Sequence, residues 1–246
     1  MRNDLGFKRI ATEEAFATKD LMKAYRDLLA RKGSDDIGFN SLMGYYLTNP
    51  SERTRLVAER LEDIGQRRID DMDATGIAMQ ILSITSPGVQ IFAAEEGTAL
   101  ARSANDELAA AIAAHPTRYA GLAAVAPQNP QAAAQELERA VTKLRLKGAI
   151  VNSHTQGEYL DDPKFWDLLA AAEALDVPIY IHPNTPSNAM IKPFMERGLD
   201  GAVFGFQVET GLHALRLVVS GVFDRFPRLR IVLGHLGDRK STRLNS

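Results

Sequence analysis

Residues 148–182 read GAIVNSHTQGEYLDDPKFWDLLAAAEALDVPIYIH, one complete strand–helix–strand unit. Gly148–Ser153 and Pro178–His182 are short, near-continuous apolar runs, the pattern of parallel strands buried on both faces. Between them Asp162-Pro163 offers a helix start, and Phe165, Leu168, Leu169, Ala172 and Leu175 carry the helical spacing. The same alternation extends in both directions. Further apolar runs lie at Arg9–Thr12, Ala78–Thr85, Tyr119–Ala126 and Leu229–His235. Leu100, Ala104, Leu108 and Ile112 predict one intervening helix. Ala134, Leu137, Val141 and Leu144, opened by Asn129-Pro130, predict another, and a third runs from about Thr54 to Thr75 with Gly76 as its stop. Repeated strand–helix alternation without a linker predicts a single α/β domain with a parallel sheet. No Gly-x-Gly-x-x-Gly or Walker pattern follows a strand, which disfavours a nucleotide-binding doubly wound sheet. A TIM-type (β/α)8 barrel is the other common solution. Ala30–Arg53 and Pro183–Phe206 then read as long insertions after strands one and five, where loops build an active site.

Composition narrows the function classes. The 246 residues include 45% hydrophobic and 24% charged side chains, 18 Gly, 11 Pro and no Cys. Disordered, collagen-like and disulfide-stapled chains are excluded, as are thiolate nucleophiles and Cys-based metal sites. A net charge of −2 gives no electrostatic footprint for nucleic acid. No apolar run approaches the roughly 20 residues of a membrane span, so no membrane association is expected. Residues 1–9 lack the apolar centre of a signal peptide, which makes a cytoplasmic location the expectation.

A closed barrel needs eight strands and only six are readable. From the second to the sixth the mean step is about 38 residues, so two further units would need on the order of 75 more. The expectation is therefore a barrel truncated after about strand six, occupying residues 1–237. Asp238–Ser246 matches the translation of a common short-read sequencing adapter and is read as a non-native tail. Those nine residues carry three basic and one acidic side chain, so without them the net charge moves from −2 to −4.

Three ionisable groups fall at C-terminal strand ends, where a barrel gathers its chemistry. Glu13 ends strand one, His182 ends strand five in Ile-Tyr-Ile-His-Pro, and His235 ends strand six in Leu-Gly-His-Leu-Gly. A carboxylate plus imidazoles from separate strands is a partial divalent-metal site. Glu13 and Glu14 point to opposite faces of a regular strand, so only one can serve, and periodicity does not choose. His115 reads as a helix-end residue. His154, in the loop after strand four, has equal claims to substrate contact and to bonding its own loop. His213 and Arg216, three apart on a helix, fit a solvated face, an interface or an anion contact. Arg53 is a first-turn cation, unfavourable for its helix dipole, which leans it toward carboxylate binding.

Ala11-Thr-Glu-Glu-Ala-Phe-Ala-Thr18, Gly44-Tyr-Tyr46, Pro50-Ser-Glu-Arg53, Met72-Asp-Ala-Thr-Gly-Ile77 and Thr85-Ser-Pro-Gly-Val-Gln90 together resemble a known family. Asn152-Ser-His-Thr-Gln-Gly157, Tyr180-Ile-His-Pro183, Gly205-Phe206 and Gly234-His-Leu-Gly237 complete the match. The family is the aromatic-acid decarboxylases of the amidohydrolase superfamily. The likeness is strongest to its 5-carboxyvanillate branch, beside the 2,3-dihydroxybenzoate and gamma-resorcylate decarboxylases, and covers residues 7–237 in order. It implies a barrel holding one divalent metal, with Glu13 and His182 as ligands and His235 as a catalytic histidine beside it. It further implies substrate contacts from Tyr46, Arg53, Thr85 and Arg216, and a homo-oligomer. Ala15 stands where some relatives have a second strand-one ligand, so manganese is favoured, with zinc as the other candidate.

The activity implied is non-oxidative decarboxylation of an ortho-hydroxylated benzoate, the small aromatic acid being the partner. The family's proton-transferring aspartate belongs to strand eight and is not among the 246 residues, so this chain is expected to be inactive by itself. Two other readings stand beside it. One is a metal-dependent hydrolase of an amide, ester or lactone on the same scaffold, disfavoured because Glu13-Glu14-Ala15 replaces His-x-His. The other is a non-catalytic fragment.

Overall fold

The structure is a computed structural model that describes residues 7–235; the proposed tail and Asp238 lie outside the described residues. Seven strand segments occur in it: β1 (Ile10–Phe16), β2 (Met79–Ile84), β3 (Tyr119–Gly121), β4 (Ala123–Ala124), β5 (Ala149–Val151), β6 (Ile179–Ile181) and β7 (Ile231–Leu233). Every pairing is parallel, and spatial order follows chain order: β1-β2-β3 in one sheet, β4-β5-β6-β7 in the next. The two sheets are joined through one strand. At Leu122 the backbone N–H still bonds the Leu82 carbonyl at 2.9 Å, while Ala123 N–H bonds the Gly148 carbonyl at 2.8 Å. Residues 119–124 thus exchange one neighbour for the other, and the six expected strands form a curled parallel arc. Among the described residues no pairing joins β7 back to β1, so a closed ring is not formed by them.

Burial follows position in the arc. Ala149, Ile150 and Val151 of β5 are all buried, whereas Ile10 of β1 is 49% exposed and Val232 of β7 is 41% exposed. Inner strands are covered on both faces, as their unbroken apolar runs require. Helices α1 (Lys19–Ala30) and α2 (Ile37–Thr48) follow β1, then α3 (Glu52–Leu61) and α4 (Gln66–Thr75). Next come α5 (Ala94–Ala114), α6 (Pro130–Thr142), α7 (Trp166–Ala174), α8 (Lys192–Met195), α9 (Gly205–Val219) and α10 (Val222–Arg225). The predicted caps are present. Asn129 accepts the Ala132 N–H, and Gly76 takes the left-handed conformation, φ 70°, that ends α4.

Two helical expectations are corrected. Thr54–Thr75 is two helices, because Asp63 accepts the Gly65 N–H at 2.8 Å and the Leu61 carbonyl is drawn to the Ala17 N–H of the β1 end, also at 2.8 Å. Helix α1 has no counterpart among the predicted helices, although Thr18 caps it and Leu21, Met22, Tyr25 and Leu28 give it a buried face.

Gly148 marks a tight approach at the head of β5. A Cβ there would lie 2.4 Å from the Pro178 carbonyl oxygen, the same atom that accepts the Ala149 N–H at 3.1 Å. Gly148→Ala is expected to destabilise the fold by about 1–3 kcal/mol, read as a lowered midpoint in denaturant or thermal unfolding. An unchanged midpoint would remove this contact as a constraint on β5–β6 register.

Candidate metal centre

Glu13 does not end its strand as expected, because β1 runs on to Phe16 and leaves it mid-strand. His182 and His235 follow the ends of β6 and β7, and the three side chains come together. One ligand atom from each of Glu13, His182 and His235 lies within 4.8 Å of the others. The selection of Glu13 over Glu14 is made by backbone geometry. Between Ala11 and Glu14, β1 contains one more residue than its partner β2, a bulge that turns the strand. Glu14 leaves on the other side, 3.6 Å from Arg68, whose guanidinium also bonds the Ala15 carbonyl and the Gln80 side chain, each at 2.8 Å. Glu13 is left facing the two imidazoles.

The oxygens of Glu13 have separate partners. Oε1 faces His182 Nε2 at 3.4 Å and contacts His235 Nε2, while Oε2 accepts the Tyr180 hydroxyl. Burial by itself pushes the Glu13 carboxyl up; hydrogen bonds from His182, His235 and Tyr180 outweigh it and hold the group well below the usual carboxylate range. Burial, then the hydrogen bond to Glu13 and the Glu13 charge, push the Tyr180 phenol up, so it stays a donor.

The tautomer of His182 follows from its second nitrogen. Nδ1 lies 2.7 Å from the Pro183 carbonyl oxygen, which only accepts, so Nδ1 carries the proton and donates it. Nε2 is then the nitrogen turned to the Glu13 carboxylate oxygen. Two acceptors facing each other need positive charge between them, either a proton or a bound cation. One carboxylate, two imidazoles and no thiolate form a donor set that suits manganese or zinc, and the Pro183 carbonyl is the outer partner such a ligand normally has. The residues fit a divalent metal.

The remaining expected site residues are placed differently. Thr85 follows β2 at the same end of the arc, its N–H bonding the Phe16 carbonyl at 2.8 Å. Tyr46 lines a separate cavity of about 370 Å³ with Arg26, Asn49, Pro50 and Thr54. Arg53 is exposed in the first turn of α3. Arg216 is committed elsewhere: it makes two 2.8 Å bonds to the Asp161 carboxylate and lies over the Tyr159 ring, 4.8 Å from its centroid. None of these four bonds a member of the cluster among the described residues. His154 bonds its own loop and the loop after β6: Nδ1 accepts the Gly157 N–H and Nε2 donates to the Thr185 carbonyl, both at 3.1 Å.

His213 is not on a solvated face. It is fully buried, as is Glu209 one turn earlier on α9. Leu160 N–H donates to His213 Nε2 at 3.2 Å, so the ring proton sits on Nδ1 and points to Ser153 Oγ at 3.3 Å. Ser153 in turn donates to Glu209 Oε1 at 3.1 Å, and Tyr159 and the Ser187 N–H reach Oε2 at 3.3 Å. This network ties α9 to the loops after β5 and β6. The only hint of it in the sequence is the four-residue spacing of Glu209 and His213, which puts both on one helix face.

Comparison with known proteins supplies the context. An amidohydrolase family model matches residues 47–241. A gamma-resorcylate decarboxylase of Polaromonas sp. is 38% identical over 238 residues, spanning 94% of this chain and 67% of that protein. One from Rhodococcus jostii is 43% identical over 190 residues, spanning 73% of this chain and 58% of that protein. The crystal structure of a 5-carboxyvanillate decarboxylase of Novosphingobium aromaticivorans, complexed with manganese and 4-hydroxy-3-methoxy-5-nitrobenzoic acid, matches with a TM-score of 0.92. It is 49% identical, over 96% of this chain and 67% of that one. The chain thus spans about three fifths to two thirds of the length of these relatives.

Proposed function

Since the chain belongs to the amidohydrolase family, we propose that it forms the larger part of a metal-dependent carboxy-lyase, which decarboxylates an ortho-hydroxylated benzoate of the 5-carboxyvanillate kind. The observation that carries this reading is the convergence within 4.8 Å of Glu13, from the bulge of β1, with His182 and His235, from the C-terminal ends of β6 and β7. Its support from relatives is that the Novosphingobium enzyme binds manganese together with a nitro analogue of such an acid.

Glu13 and His182 would hold the metal, manganese in preference to zinc. A divalent cation there supplies charge neutralisation and orientation for the carboxylate and neighbouring phenolate of the substrate. His235, beside Glu13, is placed to donate a hydrogen bond or relay a proton at its Nε2. Thr85 is at the mouth, next to the end of β1. Arg53 remains the candidate for an anionic substituent, being exposed and without an ion pair among the described residues, whereas Arg216 is occupied by Asp161. Tyr46 keeps the substrate contact only on the strength of the resemblance. Glu13, held ionised, is a poor acid, so protonation of the ring carbon falls to another group. The resemblance assigns it to an aspartate of an eighth strand that the 246 residues do not contain. On this reading the chain as given is inactive, and the active protein is longer and homo-oligomeric.

The test is to express this chain beside a full-length protein completed with the remaining strands, load both with manganese and supply 5-carboxyvanillate. The expected result is carbon dioxide and the decarboxylated phenol from the longer protein only. Turnover by the 246-residue chain overturns the assignment of the proton to a missing aspartate. Acid released from an ester substrate, with no carbon dioxide from the benzoate, replaces the lyase by a hydrolase. No helix among the described residues is long and apolar enough to cross a membrane.

A further inference from the structure

Tyr180 and His182 are two residues apart on β6 and its end, so both side chains point to the same face of the arc, Tyr180 one layer beneath the histidine. The Tyr180 hydroxyl donates to Glu13 Oε2 and leaves Oε1 to face the two imidazoles. The ring is held in place from β7. A Cβ on Gly234 would lie 2.9 Å from Tyr180 Cε1, 3.1 Å from its hydroxyl oxygen and 2.9 Å from Pro183 Cδ, so only glycine admits the ring there. The Gly234 N–H bonds the Ile181 carbonyl at 2.9 Å, which fixes that approach.

We propose that Tyr180 is a positioning residue for the metal: it occupies Glu13 Oε2, so that Glu13 offers a single oxygen to a divalent cation, and Gly234 exists at its position to seat the phenol. A carboxylate restrained in this way pays less ordering entropy on binding and presents one defined ligand atom. The inference rests on the reading of Glu13 and His182 as metal ligands.

Manganese itself is the probe, titrated into the metal-free chain and followed by the electron paramagnetic resonance of the free and bound ion. Tyr180→Phe keeps the ring and removes only the hydroxyl. It is expected to weaken manganese binding about tenfold and to change the line shape of the bound ion as the second oxygen becomes available. Gly234→Ala, which keeps the hydroxyl but displaces the ring, is expected to do the same, and covers the case in which Tyr180→Phe does not fold. Tyr119 serves as control, because its buried hydroxyl has no partner among the described residues, and Tyr119→Phe should leave affinity and line shape as they were. Unchanged binding and spectrum in folded Tyr180→Phe, with Glu13→Gln unable to bind, overturn the positioning role and leave the metal site standing. A native chain that binds no manganese overturns both.

Discussion

Glu13→Gln is expected to abolish manganese binding at micromolar metal, a loss of at least about 100-fold in affinity, since even outer partners of a metal ligand are worth 10–100-fold. The amide preserves size and can still accept the Tyr180 hydroxyl. What it removes is the formal charge, and with it the one carboxylate in a set whose other two members are imidazoles. Hard divalent cations depend on that charge more than on the imidazoles. The substitution also places an amide where Oε1 now meets His182 and His235, so that an N–H can face the lone pair at His182 Nε2 in place of a cation. Glu13→Asp separates charge from reach: it restores the anion but withdraws it by one methylene, and should recover part of the affinity. Isothermal titration with manganese reads both variants. In the full-length protein the glutamine variant should release no carbon dioxide. Native affinity in Glu13→Gln removes Glu13 from the metal site, whatever happens to turnover.

The same residue shows where sequence reading stops. Strand positions were legible because parallel strands buried on both faces leave unbroken apolar runs, and Ile179–Ile181 and Ala149–Val151 lie inside the runs expected for them. The choice between Glu13 and Glu14 was not legible from periodicity, because the bulge between Ala11 and Glu14 breaks the alternation on which such a choice depends. The family resemblance chose Glu13, and Glu13 is the one of the two that faces both histidines. The neighbour exchange at Leu122 is equally silent: nothing in an apolar run says which strand each residue pairs with. Helices α3 and α4 merged because apolar spacing continues through Ile64. The break is made by a side-chain turn at Asp63 and by a long-range bond from Ala17. Tyr180 could have been found from its two-residue spacing to His182. His213 could not, because a polar residue next to Arg216 reads as surface until Leu160 and Ser153 are seen to satisfy both of its nitrogens.

That buried histidine carries the second large effect. Burial first, then the neighbouring His154 and Arg216, push His213 down to about 3, so it is neutral in the folded chain at every pH above that. In the unfolded chain it titrates at the ordinary imidazole value near 6.5. Between those two values the unfolded state binds a proton that the folded state refuses. Stability is therefore whole above about pH 6.5 and falls with decreasing pH by up to about 1.4 kcal/mol per unit. By pH 4.5 the His213 contribution to the loss is on the order of 2–3 kcal/mol. Glu209 works in the opposite direction: burial pushes its carboxyl up, so the folded state holds a proton there more readily than the unfolded one once pH exceeds the ordinary carboxylate value. The folded-state preference of Glu209 thus favours the fold on the acid side and is lost as pH rises through its raised value. Comparing the native chain with His213→Gln separates the two. Glutamine can accept from the Leu160 N–H and donate to Ser153 but does not titrate. The variant is expected to be less stable at pH 7.5, where it loses the fitted imidazole, yet to lose less stability on going to pH 4.5. Urea midpoints measured across that range give the slopes. Parallel slopes for the two proteins would show that His213 takes up its proton in the folded state, and that the Leu160 N–H does not hold its Nε2.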